Sequence, residues 1–438
     1  MACGLLVMGS LSAKVYDYTE DNKVSLLEDA RAAVALKLEL VRNAKHHVHI
    51  MTYYWDKDGY PIELMQELNN AHARGVDVRI MTSYIPSVTM DFFGKSKKTL
   101  YRNAYLKSKA ILAYMKMVPG NNQSITNNIH EKIFLVDGEK AILGGRNISD
   151  NDFRAKDLEV MLEGPVVNQV QKHFEKMFSF LVMLKVKDDC SKKNLQCAKK
   201  LNNTEFSEKD EGFYPEQPRF ANGARARILT NEILFQQHEK DYWGEERFFA
   251  QDDIIDTVVN TEFTKLRAYN YFVIPTTRYK LYLEKKLAEG KSIEMISNSR
   301  GTAAAISDKG YLYGLPEMLN LTTRGLHLYQ WLGSESEHGG DHLHYLHEKV
   351  MLFDDDHAII GSHNFGSGST SVSSEIAVEF YSESVVGRLI DIFDEEKTNE
   401  LKTNRASVSF LEKEIKENDG MIKFLHMFFV RNIIRELY

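Results

Sequence analysis

The chain has 438 residues, 43% hydrophobic and 27% charged, enough apolar content for a sizeable core and too ordinary a balance for a disordered or fibrous protein. That length suits two or three domains, or one large duplicated unit, and a net charge of −7 argues against a protein living mainly on nucleic-acid backbone. Three cysteines (Cys3, Cys190, Cys197) are too few for a disulfide scaffold, and no window reaches the roughly 18–20 apolar residues of a membrane span.

At the N-terminus, Ala2 to Ala13 is apolar and small with no basic region before it, a poor signal peptide. It reads as a greasy terminus; the alternative is that Met1-Ala2-Cys3-Gly4 is the remnant of a lipid-attachment site in a chain that began earlier. Apolar spacing predicts a helix over Ser25 to Ala44, a strand over His46 to Tyr54, a helix over Ile62 to Arg74 and, after Gly75, a strand over Val76 to Thr82. Phe92 to Met117 holds no acidic residue, and lysines alternate there with Tyr101, Tyr105 and Tyr114. It reads equally as a solvated helical face or as a surface for anionic lipid headgroups. Val186 to Asn222 is polar, a linker or insertion in which Cys190 and Cys197 are either a small disulfide loop or two free thiols. In the second half, Asp253 to Lys265 reads as a helix and Tyr269 to Pro275 as extended. Arg278 to Glu289 follows as a helix, Gly290 as a turn and Ser292 to Ser297 as a strand. Met421 to Tyr438 is apolar with three basic residues, suited to a membrane interface or to docking on the preceding domain.

An internal repeat organises all of this. His130-Glu131-Lys132 recurs as His347-Glu348-Lys349, and nine of the eighteen positions from His130 to Asn147 are identical to those 217 residues later, without a gap. Ile129 to Val136 alternates as a strand, which sends the His130 and Lys132 side chains to one face. Asp137-Gly138 is a hairpin signal, Lys140 to Leu143 the returning strand, and Gly144-Gly145 permits close approach before Asn147. The second copy repeats this through His347, Lys349, Asp354, Gly361-Ser362 and Asn364. Two such copies about a pseudo-twofold axis would offer two imidazoles, two ammonium groups and two carboxamides to one spot.

That set suits phosphodiester chemistry. One histidine can attack phosphorus, and the other can protonate the leaving alkoxide and then deprotonate the incoming water or alcohol. Lysine and asparagine donors can stabilise charge on the equatorial oxygens, so neither cofactor nor metal is expected. A zinc-protease reading of His-Glu-Lys fails because Phe134 and Met351 stand where H-E-x-x-H needs its second histidine. His338, His342 and His344 lack the cysteine or clustered carboxylates that would complete a metal site and are expected to rim the active-site mouth.

The pattern H-x-K-x4-D-x6-G-[GS]-x-N, present twice, resembles the phospholipase D superfamily. Tyr53-Tyr54-Trp55-Asp56, Ala73 to Arg79, Gly144 to Ile148, Gly164-Pro165-Val166-Val167 and Ser297-Asn298-Ser299 are similar to bacterial cardiolipin synthases. The resemblance implies an α/β fold of two similar α/β/α sandwich lobes with the motifs facing each other, and a phosphohistidine intermediate. It implies catalytic positions at His130, Lys132, Asp137, Asn147, His347, Lys349, Asp354 and Asn364; the two aspartates sit at turns, where pinning the hairpin outweighs proton transfer. It also implies an acid after each motif that orients an imidazole. Asp157 and Glu375 fit, 27 and 28 residues after their histidines, with Glu159 a rival. Gly145 and Ser362 are expected to bind substrate. His130 is taken as nucleophile and His347 as general acid/base, although the near-symmetric sequence permits the reverse.

The expected division is an N-terminal segment (1–24), a first lobe (25–185), the polar linker (186–222), a second lobe (223–400) and a C-terminal helical segment (401–438). The expected activity is phosphatidyl transfer or hydrolysis on a phospholipid. Membrane contact is expected through Met421–Tyr438 and Phe92–Met117, peripheral to a bacterial cell envelope. A nuclease of the same superfamily is the alternative; nucleic acid is disfavoured by the net charge.

Overall fold

The structure, a computed structural model, describes residues 16–56, 59–82, 113–114, 128–149, 155–178, 213–232, 252–302, 305–333, 345–366, 369–370 and 373–432. The cysteines, His338, His342, His344 and Phe92–Met117 other than Ala113–Tyr114 lie outside the described residues.

The first lobe runs β1 (Thr19–Leu27), α1 (Ala30–Asn43), β2 (His47–Thr52), α2 (Tyr60–Ala73), β3 (Asp77–Thr82), β4 (Ala113–Tyr114) and β5 (Asn128–Ile129). It continues through β6 (Ile133–Val136), β7 (Lys140–Gly144), β8 (Ala155–Lys156) and β9 (Glu159–Glu163), then a helix α3 at 167–178. The second lobe runs β10 (Ala224–Asn231), α4 (Asp253–Asn260), β11 (Lys265–Asn270), α5 (Thr277–Ala288), β12 (Ser292–Asn298), α6 (Ala305–Thr323) and β13 (His327–Trp331). After it come β14 (Tyr345–Leu346), β15 (Val350–Phe353), β16 (His357–Gly361), β17 (Ser373–Tyr381), α7 (Glu383–Thr398), β18 (Thr403–Arg405) and α8 (Val408–Asn432).

The long strands form one continuous sheet. From its middle, the first lobe reads β1-β9-β7-β6-β2-β3-β4 and the second reads β10-β17-β16-β15-β11-β12-β13-β18. Apart from β18 the two orders are the same, so the sequence repeat is a structural repeat about a pseudo-twofold. The seam is the antiparallel pair β1–β10, with Thr19 opposite Ala226 and Asn22 opposite Ala224. Strands β2–β3 and β11–β12 pair in parallel, each pair joined by a crossover helix, α2 or α5.

Helices cover both faces, which gives the α/β/α layering the resemblance implies. In the first lobe Leu38 and Val41 of α1 and Leu64 and Leu68 of α2 bury against Val48, Ile80 and Phe134. On the opposite face, one apolar core spans both lobes, joining Val170 and Phe174 of α3 to Val386, Leu389 and Phe393 of α7. Helices α4, α5, α6 and α8 close the second lobe, where Leu411, Ile422 and Leu425 tuck α8 into the core. The C-terminal helix is therefore docked on its lobe over the described residues. Among those residues no helix is long and apolar enough to cross a membrane.

Three local expectations change. Ser25–Leu27 belongs to strand β1, because the Asp29 carboxylate accepts from Ala32 N at 2.7 Å and starts the helix there. Helix α4 ends at Asn260, where Thr261 turns extended, so Lys265 opens a strand. The segment His130 to Lys132 is not part of the β6 ladder; Asn128–Ile129 pairs with Ser373–Ser374 of the other lobe instead. Gly290, read as a turn, adopts φ of +77°, and Gly75, just before β3, adopts +96°.

Candidate active site

Each motif histidine is carried over the lobe boundary by a short parallel strand pair. β5 lies beside the start of β17, and His130 N–H donates to Ser374 O at 2.9 Å. β14 lies beside β8, and His347 N–H donates to Lys156 O at 2.8 Å. The acids that follow these acceptors complete the crossing. His130 Nδ1 meets Glu375 Oε2 at 2.9 Å, and His347 Nδ1 meets Asp157 Oδ2 at 2.6 Å. Each imidazole is thus oriented by the acid of the opposite lobe, although each acid follows the other motif in sequence. With Nδ1 engaged by a carboxylate, Nε2 is the nitrogen left for chemistry.

The two half-sites match in their other parts. Lys132 Nζ donates to the His130 carbonyl at 2.5 Å, and Lys349 Nζ donates to the His347 carbonyl. Tyr53 meets the His130 ring edge-on at 5.0 Å, as Tyr271 meets His347 at 5.3 Å. Lys132 and Lys349 lie 5.6 and 5.5 Å from the centres of those tyrosine rings. The side-chain oxygens of Asn147 and Asn364 are buried with no hydrogen-bond partner among the described residues. A carboxamide can present either end, so a ligand would satisfy these two groups.

Burial pushes both imidazoles below their ordinary range. For His130, Glu375 opposes that and Lys132 and Lys349 reinforce it. For His347, Lys349 adds to burial and Asp157 opposes it, leaving a pKa of about 4. Burial would raise the Glu375 carboxyl, but His130 beside it, with His363 and Lys132, holds it at about 2. Asp157 is held below its usual range in the same way, burial being outweighed by His347, Lys349 and Arg146. Each lobe's lysine acts on the other lobe's histidine, so the four basic groups share one electrostatic site.

Several expected site residues are reassigned. Asp137 and Asp354 are not in the site; they sit beyond the far ends of β6 and β15 with φ of +53° and +50°. The Asp137 carboxylate accepts from the N–H groups of Lys45, His46 and His47, the last two at 2.7 and 3.0 Å, and Asp354 accepts from Thr264 and Lys265 at 2.9 Å each. Both pin the hairpin to the start of the next strand, as their turn positions suggested. Gly145 and Ser362, expected to bind substrate, lie against the two acids. A Cβ on Gly145 would overlap the Asp157 carboxylate, and the buried Ser362 hydroxyl donates to Glu375. Glu159 is no rival to Asp157: it pairs with Lys37 at 2.6 Å and lies 3.5 Å from Arg146.

Tyr53 and Tyr271 are site residues not expected from the motifs. The signal was there: they stand 77 and 76 residues before His130 and His347. Among the described residues no cluster of three or more His, Cys, Asp or Glu side chains could hold a metal ion.

The family described as "Cardiolipin synthase, PLD-like domain" matches residues 38–178 and 256–397, more than half of the chain and one match per lobe. The chain belongs to that family. It is an enzyme of the phosphatidyltransferase and phosphodiesterase class. Among relatives of this PLD-like chain, an uncharacterized protein of Helicobacter pylori (strain ATCC 700392 / 26695) is 25% identical over 417 residues, covering 87% of this chain and 81% of its own. Cardiolipin synthase 1 of Staphylococcus epidermidis is 19% identical over 389 residues, covering 86% of this chain and 68% of its own. The crystal structure of phosphatidylserine synthase from Haemophilus influenzae Rd KW20 superposes with a TM-score of 0.61 at 12% identity, covering 92% of this chain and 94% of that one, which shows a shared fold.

Proposed function

We propose that this PLD-like enzyme is a phosphatidyltransferase of cardiolipin-synthase type, acting on a phospholipid phosphodiester through a phosphohistidine. The observation that carries the reading is the pair of crossed dyads, His130–Glu375 and His347–Asp157, with a lysine on the carbonyl of each histidine. Both imidazoles are held below their ordinary pKa and are neutral at neutral pH. Neutral His130 Nε2 attacks phosphorus and the bond to the leaving alkoxide breaks. A bound phosphodiester anion raises the pKa of His347, which lets it carry the proton that the alkoxide takes. The acceptor alcohol, or water, then gives its proton to His347 and attacks phosphorus, and the P–N bond breaks. Lys132, Lys349, Asn147 and Asn364 supply donors to the equatorial oxygens.

The acceptor decides between transfer and hydrolysis. A lipid substrate calls for membrane contact, and Met421, Phe424 and Met427 stand exposed along docked helix α8 with Lys423 among them. We place the enzyme peripherally on a bacterial envelope membrane, with that helix and the Phe92–Met117 stretch as its contacts.

The test supplies labelled phosphatidylglycerol, with and without phosphatidylethanolamine, beside a nucleic-acid substrate. Cardiolipin or phosphatidic acid as product supports the reading; cleaved nucleic acid with intact lipid replaces it with a nuclease. His130→Ala and His347→Ala are each expected to lower turnover by about 10³-fold or more. Single mutants at wild-type rates would refute the mechanism. Because lysines provide the cationic charge, chelators are expected to leave the rate unchanged, and a loss restored by a divalent ion would overturn that part.

A further inference from the structure

The middle residue of each His-Glu-Lys triplet has no role in the chemistry above, yet Glu131 is fully buried and Glu348 nearly so. A buried carboxylate needs partners. Both glutamates find them at equivalent places across the lobe boundary, on the residue just before the opposite lobe's orienting acid. Glu131 accepts from the Ser374 hydroxyl and meets His173 Nε2 of α3 at 2.6 Å; Ser374 precedes Glu375. Glu348 accepts from Lys156 Nζ at 2.7 Å; Lys156 precedes Asp157. Ser374 and Lys156 are also the residues whose carbonyls take the His130 and His347 N–H groups. A helix anchors each assembly from behind. His173 lies 3.3 Å from Glu232, and Lys156 reaches Glu396 of α7 at 3.1 Å, where the Tyr269 hydroxyl donates at 2.6 Å.

We propose that Glu131 and Glu348 are positioning residues, each clamping the segment that carries the opposite lobe's acid: Glu131 sets the His130–Glu375 pair and Glu348 sets the His347–Asp157 pair. The proposal rests on the reading that these two histidines are the reacting groups. The clamps differ in charge. Burial opposes the His173 charge, but Glu131 and Glu232 hold its pKa at about 10, so the first clamp keeps its cation throughout the neutral range. Lys156 of β8 serves two carboxylates, and burial, with Glu396 of α7 and Asp157 added and Lys156 opposing, brings Glu348 to about 7. The second clamp therefore changes its proton count near neutral pH.

The experiment uses the full chain with ¹⁵N-labelled histidine. The imidazole nitrogens of His130 and His347 are followed through a pH titration, with assignments from His130→Gln and His347→Gln. Glu348→Ala, which removes the clamp in either protonation state, is expected to lower the His347 pKa by about one unit, through weakened contact with Asp157, and to leave His130 in place. Glu131→Gln is expected to do the converse. Glu379→Gln, which breaks a remote buried pair with His357 and Arg227, serves as control: a lower Tm with both imidazoles unmoved. Folded clamp variants whose histidines titrate as in the wild type, or shifts matched by the control, would overturn the proposal. Should a clamp variant not fold, Glu131→Asp and Glu348→Asp carry the same readout. The titration needs no substrate, so failure to turn over any phosphodiester counts against the functional reading and not against the clamp.

Discussion

At the scale of single residues, the site depends on carboxylates placed to a fraction of an ångström by small neighbours. Gly145 leaves room for Asp157, and the equivalent Ser362 instead donates to the longer Glu375. Gly145→Ala is therefore expected to displace Asp157 from His347 and to lower kcat by about tenfold or more with little change in KM, read by steady-state kinetics. The hairpin aspartates behave differently. Asp137→Ala removes the acceptor from a run of three backbone N–H groups and is expected to cost about 2–3 kcal/mol of stability. Its kcat should stay at the wild-type value in the folded fraction; a catalytic collapse without loss of Tm would return Asp137 to the mechanism. Residue types and spacing made His130, Lys132 and their counterparts in the second copy legible in the sequence. Tyr53 and Tyr271 are marked only by their matched offsets from the histidines, since a tyrosine after a strand is ordinarily core.

At the scale of elements, the working parts are short crossing strands rather than the long ladders. β5 against β17 and β8 against β14 exchange main-chain bonds between lobes, so neither half carries a complete dyad. These two-residue pieces have no periodicity to read, which is why Ile129–Val136 looks like one strand in sequence and divides into β5 and β6 in space. The helices are tied in by buried charge as well as apolar contact. Lys37 of α1 reaches Glu159 of β9 at 2.6 Å, both 3% exposed, with Arg146 behind. Lys37→Met is expected to destabilise the chain by about 3 kcal/mol, measured by denaturant unfolding, because it strips a partner from a buried carboxylate. Lys37 and Glu159 belong to neither dyad, so kcat in the folded fraction is expected to fall by less than the tenfold expected of Gly145→Ala.

At the scale of the whole molecule, one sheet with its seam at β1–β10 makes two lobes a single titrating body. His347 and His47, held at about 4 and about 3 chiefly by burial, stay neutral when folded but charge near pH 6.5 when unfolded. Their stabilisation is present above about pH 6.5 and is lost as pH falls through those folded values. His173, raised to about 10, has the opposite sign: its contribution is present below about pH 6.5 and is lost as pH rises through 10. Thermal unfolding across pH is thus expected to show a Tm maximum near neutrality, and His173→Gln to flatten the alkaline limb. A Tm that rose steadily from pH 6.5 to 10 would contradict this assignment of charge. The sequence by itself determined the duplication, the chemistry-bearing residue types and the hairpins at Asp137 and Asp354, because those rest on local periodicity and on identity at a fixed offset. Only the tertiary structure decided which acid serves which histidine, since those pairs join residues 245 and 190 positions apart. Contacts at that range are set by how the two halves of one sheet and their covering helices come together, which leaves no trace in local spacing.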